Sequence, residues 1–481
     1  MITRRRFATC LAGASAAGFE AIFAQALVPK LIRSCIQVEI SAKSSPAPGA
    51  TTLNLSREEI ERIIRPLFQC HDPQMWQLVV DAYQQCIFGG LRAAEPPFAH
   101  TWLSPGGQFR GQWLWDTMFV VDLLSIVPGQ QEVIRGIFQN YWDFQERWNV
   151  AMPEYAHGMV ANFIAPYSIT GNHPGTAWKE YPAYSQAPLL AWGMERVYLR
   201  THDLELLRVG VPHLEAFHDW YWRERDLRNV GLVCVGSYSG DVQHARYETY
   251  DSEVDLDDLR LTKHLIRKGQ SEGAWYGDIC IPANTSYLLL SEASLARMAG
   301  IIGDRGMARR RRRLLRKGSA AMRKHMWDSD QGCFLSVHRD SLEKIPVATI
   351  GGLVPLMAGI PTKQQAACMA QVIAGPNWAT PLPVPTVNRQ NPNFVSNSYW
   401  RGDVWPGPNY QVAAGLATYG YRDLAAHIAD TTLDNAIRVG ISEHYDSLTG
   451  KPSGVRGLGM SAAMLSMALD GFATKHELRI A

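Results

Sequence analysis

The stretch Asp72-Pro-Gln-Met-Trp76-Gln-Leu-Val79-Val80-Asp-Ala-Tyr83-Gln-Gln-Cys-Ile87-Phe-Gly89-Gly90 decides the fold class. Asp72 can accept hydrogen bonds from the first free amides of a helix, and a proline in the next position loses no intrahelical bond. Trp76, Val79, Val80, Tyr83 and Ile87 then recur at helical spacing, and the glycine pair stops the run. The reading is an amphipathic helix with one buried face.

The same signature extends outward. Upstream, Ser56-Arg-Glu-Glu59 has the spacing of a capping box ahead of Ile60, Ile63, Ile64 and Leu67. Downstream, helical spacing returns in 178–228, 283–328, 363–374 and 404–438, while alternating strand patterns are scarce. No strict period marks a solenoid. The intervening loops, 101–116, 151–180, 232–282 and 376–403, are long and rich in Trp, Pro, Gly and Asn. Long loops in a compact helical domain usually build a site. About six helical hairpins in a ring would bring them to one rim, so an all-α toroid is expected.

Composition narrows the function. With 46% hydrophobic and 19% charged residues among 481, the chain can bury a large core. A net charge of +2 supplies no field for nucleic acid or an acidic membrane. Fifteen tryptophans are unusual: most read as a large aromatic core, and the rest suit flat rings offered to sugar faces. The one strong charge run, Arg309 to Arg313 with Arg316 and Lys317, reads as a solvated outer helix face. No stretch matches a membrane span.

Thr3-Arg-Arg-Arg-Phe7 followed by a weakly apolar run to Ala26 reads as a twin-arginine leader, with Ala24-Gln25-Ala26 at the cleavage site. The expected organisation is leader 1–26, polar linker 27–55 and one helical domain 56–481, in a periplasmic or secreted protein. Cys10 falls in the leader. Cys35, Cys70, Cys86, Cys234, Cys280, Cys333 and Cys368 form an odd set without a CxxC spacing, so no zinc site is expected, and any disulfide pairing is left open.

Cleaving a glycosidic bond takes a proton donor for the leaving oxygen and a carboxylate serving the other face of the sugar. No GxSxG or phosphate-loop fingerprint competes. Glu443, in Ile441-Ser-Glu443-His-Tyr445-Asp446, lies between a helical run and the glycine-rich Gly454-Val-Arg-Gly457-Leu-Gly459. A second group of acids fills Arg246-Tyr-Glu248-Thr-Tyr-Asp251-Ser-Glu253-Val-Asp255-Leu-Asp257-Asp258. Crowded carboxylates keep one of their number protonated near neutral pH, which suits a general acid. The alternating acids have some likeness to a calcium loop but lack its glycine, so neither metal nor cofactor is called for.

Five segments then come in one order: Trp113-Leu-Trp115-Asp116-Thr-Met-Phe119, Ser185-Gln186-Ala-Pro188, Tyr247-Glu-Thr-Tyr-Asp251-Ser, Ser398-Tyr-Trp400-Arg401-Gly-Asp403-Val-Trp405-Pro, preceded by Pro383-Val-Pro-Thr-Val387, and Glu443-His-Tyr445-Asp446 with Thr449-Gly450. Together they resemble the (α/α)6-barrel glycosidases of the trehalase and processing α-glucosidase (family 63) type, which include mannosylglycerate hydrolases. The resemblance spans about residues 100–470, and Trp-Arg-Gly-x-Val-Trp is its most specific part. It implies an inverting, exo-acting hydrolase of a small α-linked glucoside or mannoside, with a small carbohydrate as partner. Asp251 would be the general acid and Glu443 the general base. Trp115, Asp116, Gln186, Trp400, Arg401, Trp405 and Tyr445 would line the sugar pocket.

The chain departs from the family pattern in several places, among them Ser252-Glu-Val-Asp255-Leu-Asp-Asp258 where Ser-Pro-Arg-Trp-Asp often follows the acid motif. Glu248-Thr-Tyr-Asp251 is one residue shorter than the usual Glu-Ser-Gly-x-Asp, which leaves Asp255 and Asp241 as alternatives for the acid. Asp403 stands where proline is common, and Gly459-Met-Ser461 replaces an aromatic-serine pair. Two other functions stay open at this point. One is a polysaccharide lyase using His157, His173 and Arg401; the other is a silent sugar-binding protein.

Overall fold

The structure is a computed structural model. It describes residues 55–481 apart from 108, 153, 167–184, 238–266, 269–274 and 393. These residues belong to one compact unit, Thr51–Ala481. Asp241, Asp251, Asp255, His173 and the leader 1–26 lie outside the described residues.

The first helices form as their caps dictate. Helix α1 (Arg57–Ile64) starts with the reciprocal Ser56–Glu59 capping box, and α2 (Pro73–Ala82) starts with the Asp72 carboxylate accepting from the Gln74 amide. The helical turns run on past α2 to Gly90, with Tyr83 and Ile87 buried as their spacing requires. Among the described residues the remaining helices are α3 (Leu114–Leu124), α4 (Gln131–Ala151), α5 (Leu190–Thr201), α6 (Leu204–Glu224), α7 (Pro282–Ile301), α8 (Arg305–His325), α9 (Lys363–Ile373), α10 (Pro406–Thr418), α11 (Arg422–Val439) and α12 (Ala463–Leu469).

They sort into two layers by burial. Every residue of α3 is buried, as are α7 from Pro282 to Ala296 and α10 from Pro406 to Leu416. Helices α4, α6, α8 and α11 bury only one face each. A helix buried all round is an inner element, and an amphipathic one is an outer element. The inner elements touch in sequence and close on themselves: α3 meets α5, α5 meets α7, and α7 meets the 3-10 turns Ile350–Gly352 and Val354–Leu356. Those turns meet α10, α10 meets α12, and α12 returns to α3. This is the all-α (α/α)6 toroid, with one inner position filled by tight turns instead of a regular helix. At Gly415 a β-carbon would lie 2.6 Å from the Met357 amide, so only glycine lets α10 approach those turns so closely.

Short strands carry the rim. Strand β1 (Gln112–Trp113) pairs with β2 (Phe163–Ile164) and delivers the first turn of α3. Strand β3 (Cys234–Ser237) pairs antiparallel with β4 (Trp275–Cys280). Strand β5 (Ser442–Tyr445) pairs with β6 (Pro452–Arg456). The arginine run on α8 is mostly exposed as expected, with one exception. Arg311 is 1% exposed and meets Glu215, Asp219 and Glu292, so it is an internal strut between α6, α7 and α8. No disulfide joins the described cysteines.

Candidate functional site

Glu443 sits where the β5–β6 pairing slips. Ser442 faces Arg456 and His444 faces Ser453, so Gly454 and Val455 together oppose the single residue Glu443. Such a bulge re-aims a side chain. The Val455 amide donates to Glu443 Oε2 at 2.8 Å. Gly454 has φ +72°, and a β-carbon there would lie 2.4 Å from Glu443 Oε2. The glycine therefore supplies both the left-handed turn and the space that the carboxylate occupies. Burial pushes the Glu443 carboxyl above the usual range, opposed by the Val455 amide and the His444 charge.

Asp116 faces the same space from the first turn of α3. It is buried, and its carboxyl is pushed up to about 7, first by burial and then by the charge of Glu443. The helix start is held from across the rim: Gln186 Oε1 accepts from the Trp115 amide at 3.1 Å, one of the helix's unpaired first-turn donors. Gln186 is itself fixed where its carbonyl accepts from the Tyr221 hydroxyl, 2.7 Å away.

The aromatic segment forms a slab. The Trp400 and Trp405 rings stack at 4.0 Å and 7°, and His444 stacks on Trp405 at 4.9 Å and 19°. Trp115 lies 6.4 Å from Trp400. Tyr399 meets the edges of this column, with its ring tilted 79° to Trp400, 77° to Trp405 and 83° to His444. Trp405 is thus sandwiched, and only its edges remain for other contacts. Arg401 is half-buried beside the slab.

Tyr445 stands apart from this wall. It is 0% exposed, its hydroxyl donates to the Gly440 carbonyl at 3.0 Å, and it accepts from the Ser442 amide at 2.9 Å. The structure thus brings Trp115, Asp116, Gln186, Trp400, Trp405 and Glu443 together, with Tyr445 as a prop behind the base strand. His157 is tied by Nε2 to the Met152 carbonyl, 2.8 Å away, at the end of α4. A hollow of about 640 Å³ between α8 and α9 is lined by Arg323, Lys324 and Trp327 and by no carboxylate, so it lacks the groups that glycoside cleavage needs. Among the described residues no cluster of His, Cys, Asp and Glu is arranged to hold a metal ion.

Two buried carboxyls near enough for one charge to act on the other, beside stacked indoles, suit a sugar site, and the comparisons agree. The model of the mannosylglycerate hydrolase MGH1-like glycoside hydrolase domain matches residues 110–461. The chain belongs to this family. Mannosylglycerate hydrolase of Thermus thermophilus is 25% identical over 408 residues, covering 74% of the chain and 94% of the relative. Periplasmic trehalase of Salmonella paratyphi C is 23% identical over 379 residues, covering 70% and 60%. A crystal structure of a GH63 mannosylglycerate hydrolase from Thermus thermophilus with Tris superposes with a TM-score of 0.61 at 22% identity, covering 82% of this chain and 99% of that one.

The protein is therefore a glycoside hydrolase, and the lyase and silent-binder readings give way. Sequence reasoning missed how three residues enter this site. Gly454 was visible only as part of a glycine-rich stretch, with no sign that it faces Glu443. Nothing in the spacing of Asp403 and His444 indicates that they meet.

Proposed function

We propose that the chain is an inverting, exo-acting hydrolase of a small α-linked glucoside or mannoside, with Glu443 as the general base that activates water. The observation carrying this reading is the bulged hairpin, which buries Glu443 opposite Asp116 and beside the indole slab. Trp115, Asp116, Gln186, Trp400 and Arg401 serve as the sugar wall, Trp405 supports Trp400 from behind, and Tyr445 holds the base strand. The relatives' names extend the class to mannosylglycerate and trehalose. Asp251 is assigned as general acid from its motif.

Purified mature protein is tested against trehalose, mannosylglycerate, glucosylglycerate and simple α-glucosides. NMR should show the inverted anomer of the released sugar first, and turnover should vanish in Glu443→Ala. Retention of configuration, or wild-type turnover in that variant, would sink the assignment.

A second reading of the acid is favoured by one observation: burial and the Glu443 charge push the Asp116 carboxyl up to about 7, which lets it hold a proton near neutral pH. Glycosyl fluorides decide between the two, because fluoride leaves without a proton. The variant of the true acid, Asp251→Asn or Asp116→Asn, keeps turnover of the fluoride while losing that of the natural glycoside. A variant that merely lost a sugar contact loses both.

Export through the twin-arginine leader completes the proposal, supported by Thr3-Arg-Arg-Arg-Phe7 and by a periplasmic relative. Replacing Arg4, Arg5 and Arg6 with lysine should keep the protein in the cytoplasm on fractionation.

A further inference from the structure

Two backbone hydrogen bonds join the aromatic segment to the base strand: the Val404 amide donates to the Tyr445 carbonyl at 2.8 Å, and the Tyr445 amide donates back at 2.9 Å. In an antiparallel pair of this register Trp405 lies across from His444, and Asp403, two residues before Trp405, shares their face. The side chains follow: Asp403 Oδ2 meets His444 Nδ1, and the His444 ring lies flat on Trp405.

Asp403 is 0% exposed. Its other oxygen, Oδ1, has no hydrogen-bond partner among the described residues, and the other charge near it is Asp446, which opposes it. A buried carboxylate with a single partner holds that partner firmly, because releasing it would leave a charge without compensation. His444 is therefore fixed at Nδ1, on one face by Trp405 and at its edge by Tyr399. It also directly follows Glu443, so whatever fixes its ring also fixes the strand at the bulge.

We infer that Asp403 and His444 are a positioning pair: they clamp the far end of the Trp400–Trp405 slab and hold Glu443 at its bulge, a role that rests on the hydrolase reading above. The pair acts through its neighbours. From the buried carboxylate the column passes through His444, Trp405 and Trp400 to Trp115, which precedes Asp116. Without the clamp the imidazole is free to turn, the slab loses its backing, and both the sugar wall and the base drift.

The test uses Asp403→Asn, His444→Gln and the double variant in the full chain, with two readouts. The first is kcat and KM on whichever glycoside the wild type turns over fastest. The second is the far-ultraviolet exciton couplet of the stacked Trp400–Trp405 pair in circular dichroism, with Trp405→Phe as its reference. Displacing reacting groups by about an ångström lowers rates by roughly 100-fold, so each single variant should lose roughly 10- to 100-fold in kcat/KM. The double variant should be no worse than the poorer single, as for residues that act as one unit. The couplet should shrink in all three.

Unchanged kcat/KM in both single variants overturns the inference, as does additive loss in the double variant. An unchanged couplet beside lost activity overturns the slab as the route. Should His444→Gln not fold, Asp403→Asn, which keeps the shape and removes the charge, carries both readouts. If the wild type turns over no glycoside, the hydrolase reading falls and the positioning role with it. The couplet in Asp403→Asn still reports whether the pair holds the slab, so the two failures are told apart.

Discussion

Helix α3 carries two buried aspartates that meet opposite fates. At its rim end Asp116 faces Glu443, and its carboxyl is pushed up to about 7. At its other end Asp122 is equally buried, and burial alone would raise it as well. There Arg196 lies 2.8 Å and Arg200 3.0 Å from its oxygens, and they hold it far below the usual range. Arg196 also reaches Asp470 at 3.1 Å, which accepts from the Tyr410 hydroxyl at 2.7 Å, so the network ties α3, α5, α10 and the end of α12 together. One buried charge is compensated and serves the architecture. The other has only its own backbone amide in its favour and a like charge near it, which is where perturbed carboxyls do chemistry.

Breaking the compensated side should have the largest effect on stability. Asp122→Ala takes from Arg200 its carboxylate and leaves Arg196 with Asp470 alone, a loss of about 3–5 kcal/mol, read from the urea midpoint at pH 7. The folded value of Asp122 is lowered, so its contribution is present above the unfolded value near 4 and is lost as pH falls through the folded one. The gap between wild type and variant should therefore narrow in acid. A gap under about 1 kcal/mol at pH 7 would mean that the network is not a support.

The uncompensated side should respond in the opposite sense. The folded value of Asp116 is raised from 3.8 to about 7. Its stability contribution is complete below about 4 and is lost as pH rises through 7. That shift corresponds to a burden on the order of 4 kcal/mol above pH 7. Asp116→Asn should raise the urea midpoint at pH 8, leave it nearly unchanged at pH 4, and lower kcat/KM on the natural glycoside. Equal destabilisation at both pH values would show that Asp116 is an ordinary packed carboxyl.

The same contrast explains how much the sequence revealed. Helices α2, α6, α8 and α11 were legible because an amphipathic face leaves a period: in α2, Trp76, Val79 and Val80 mark it plainly and Tyr83 continues it. The inner helix α3 left none, since Leu114 to Leu124 is buried on every side and has no polar face to alternate with. Glu443, Trp400 and Trp405 could be named because they stand in motifs. The bulge could not, since it depends on Gly454 and Val455 opposing one residue across a hairpin, a matter of register and not of composition. Asp403 was noticed as an oddity, yet its partner lies on another segment and meets it only through the Val404–Tyr445 bridge. Asp251, the expected acid, lies outside the described residues, so its role is proposed from the motif alone.

Gly454→Ala sharpens the comparison at the site itself. The left-handed backbone at φ +72° costs a β-carbon residue about 1–2 kcal/mol, and the added carbon would displace Glu443 Oε2 from the Val455 amide. Activity should suffer more than stability: kcat should fall by roughly 10- to 100-fold, as for a misplaced catalytic group, with KM changing less. A variant that melts early but keeps its kcat would show that the bulge does not set the position of the base.

Tyr445→Phe should have the smallest effect, and it tests on which side of the contrast a residue belongs. Its hydroxyl is compensated twice, by the Gly440 carbonyl and the Ser442 amide, and none of the ring is exposed. By the logic that separates Asp122 from Asp116, a fully partnered group is architecture. Removing the hydroxyl leaves a buried amide and a carbonyl short of one bond, a loss of about 1–3 kcal/mol. A sugar contact would behave otherwise: KM would rise several-fold while the melting curve stayed in place. The expected result is a lowered urea midpoint with KM unchanged. A raised KM at unchanged stability would return Tyr445 to the sugar wall, and would mean that full compensation in the free protein does not rule out a part in binding.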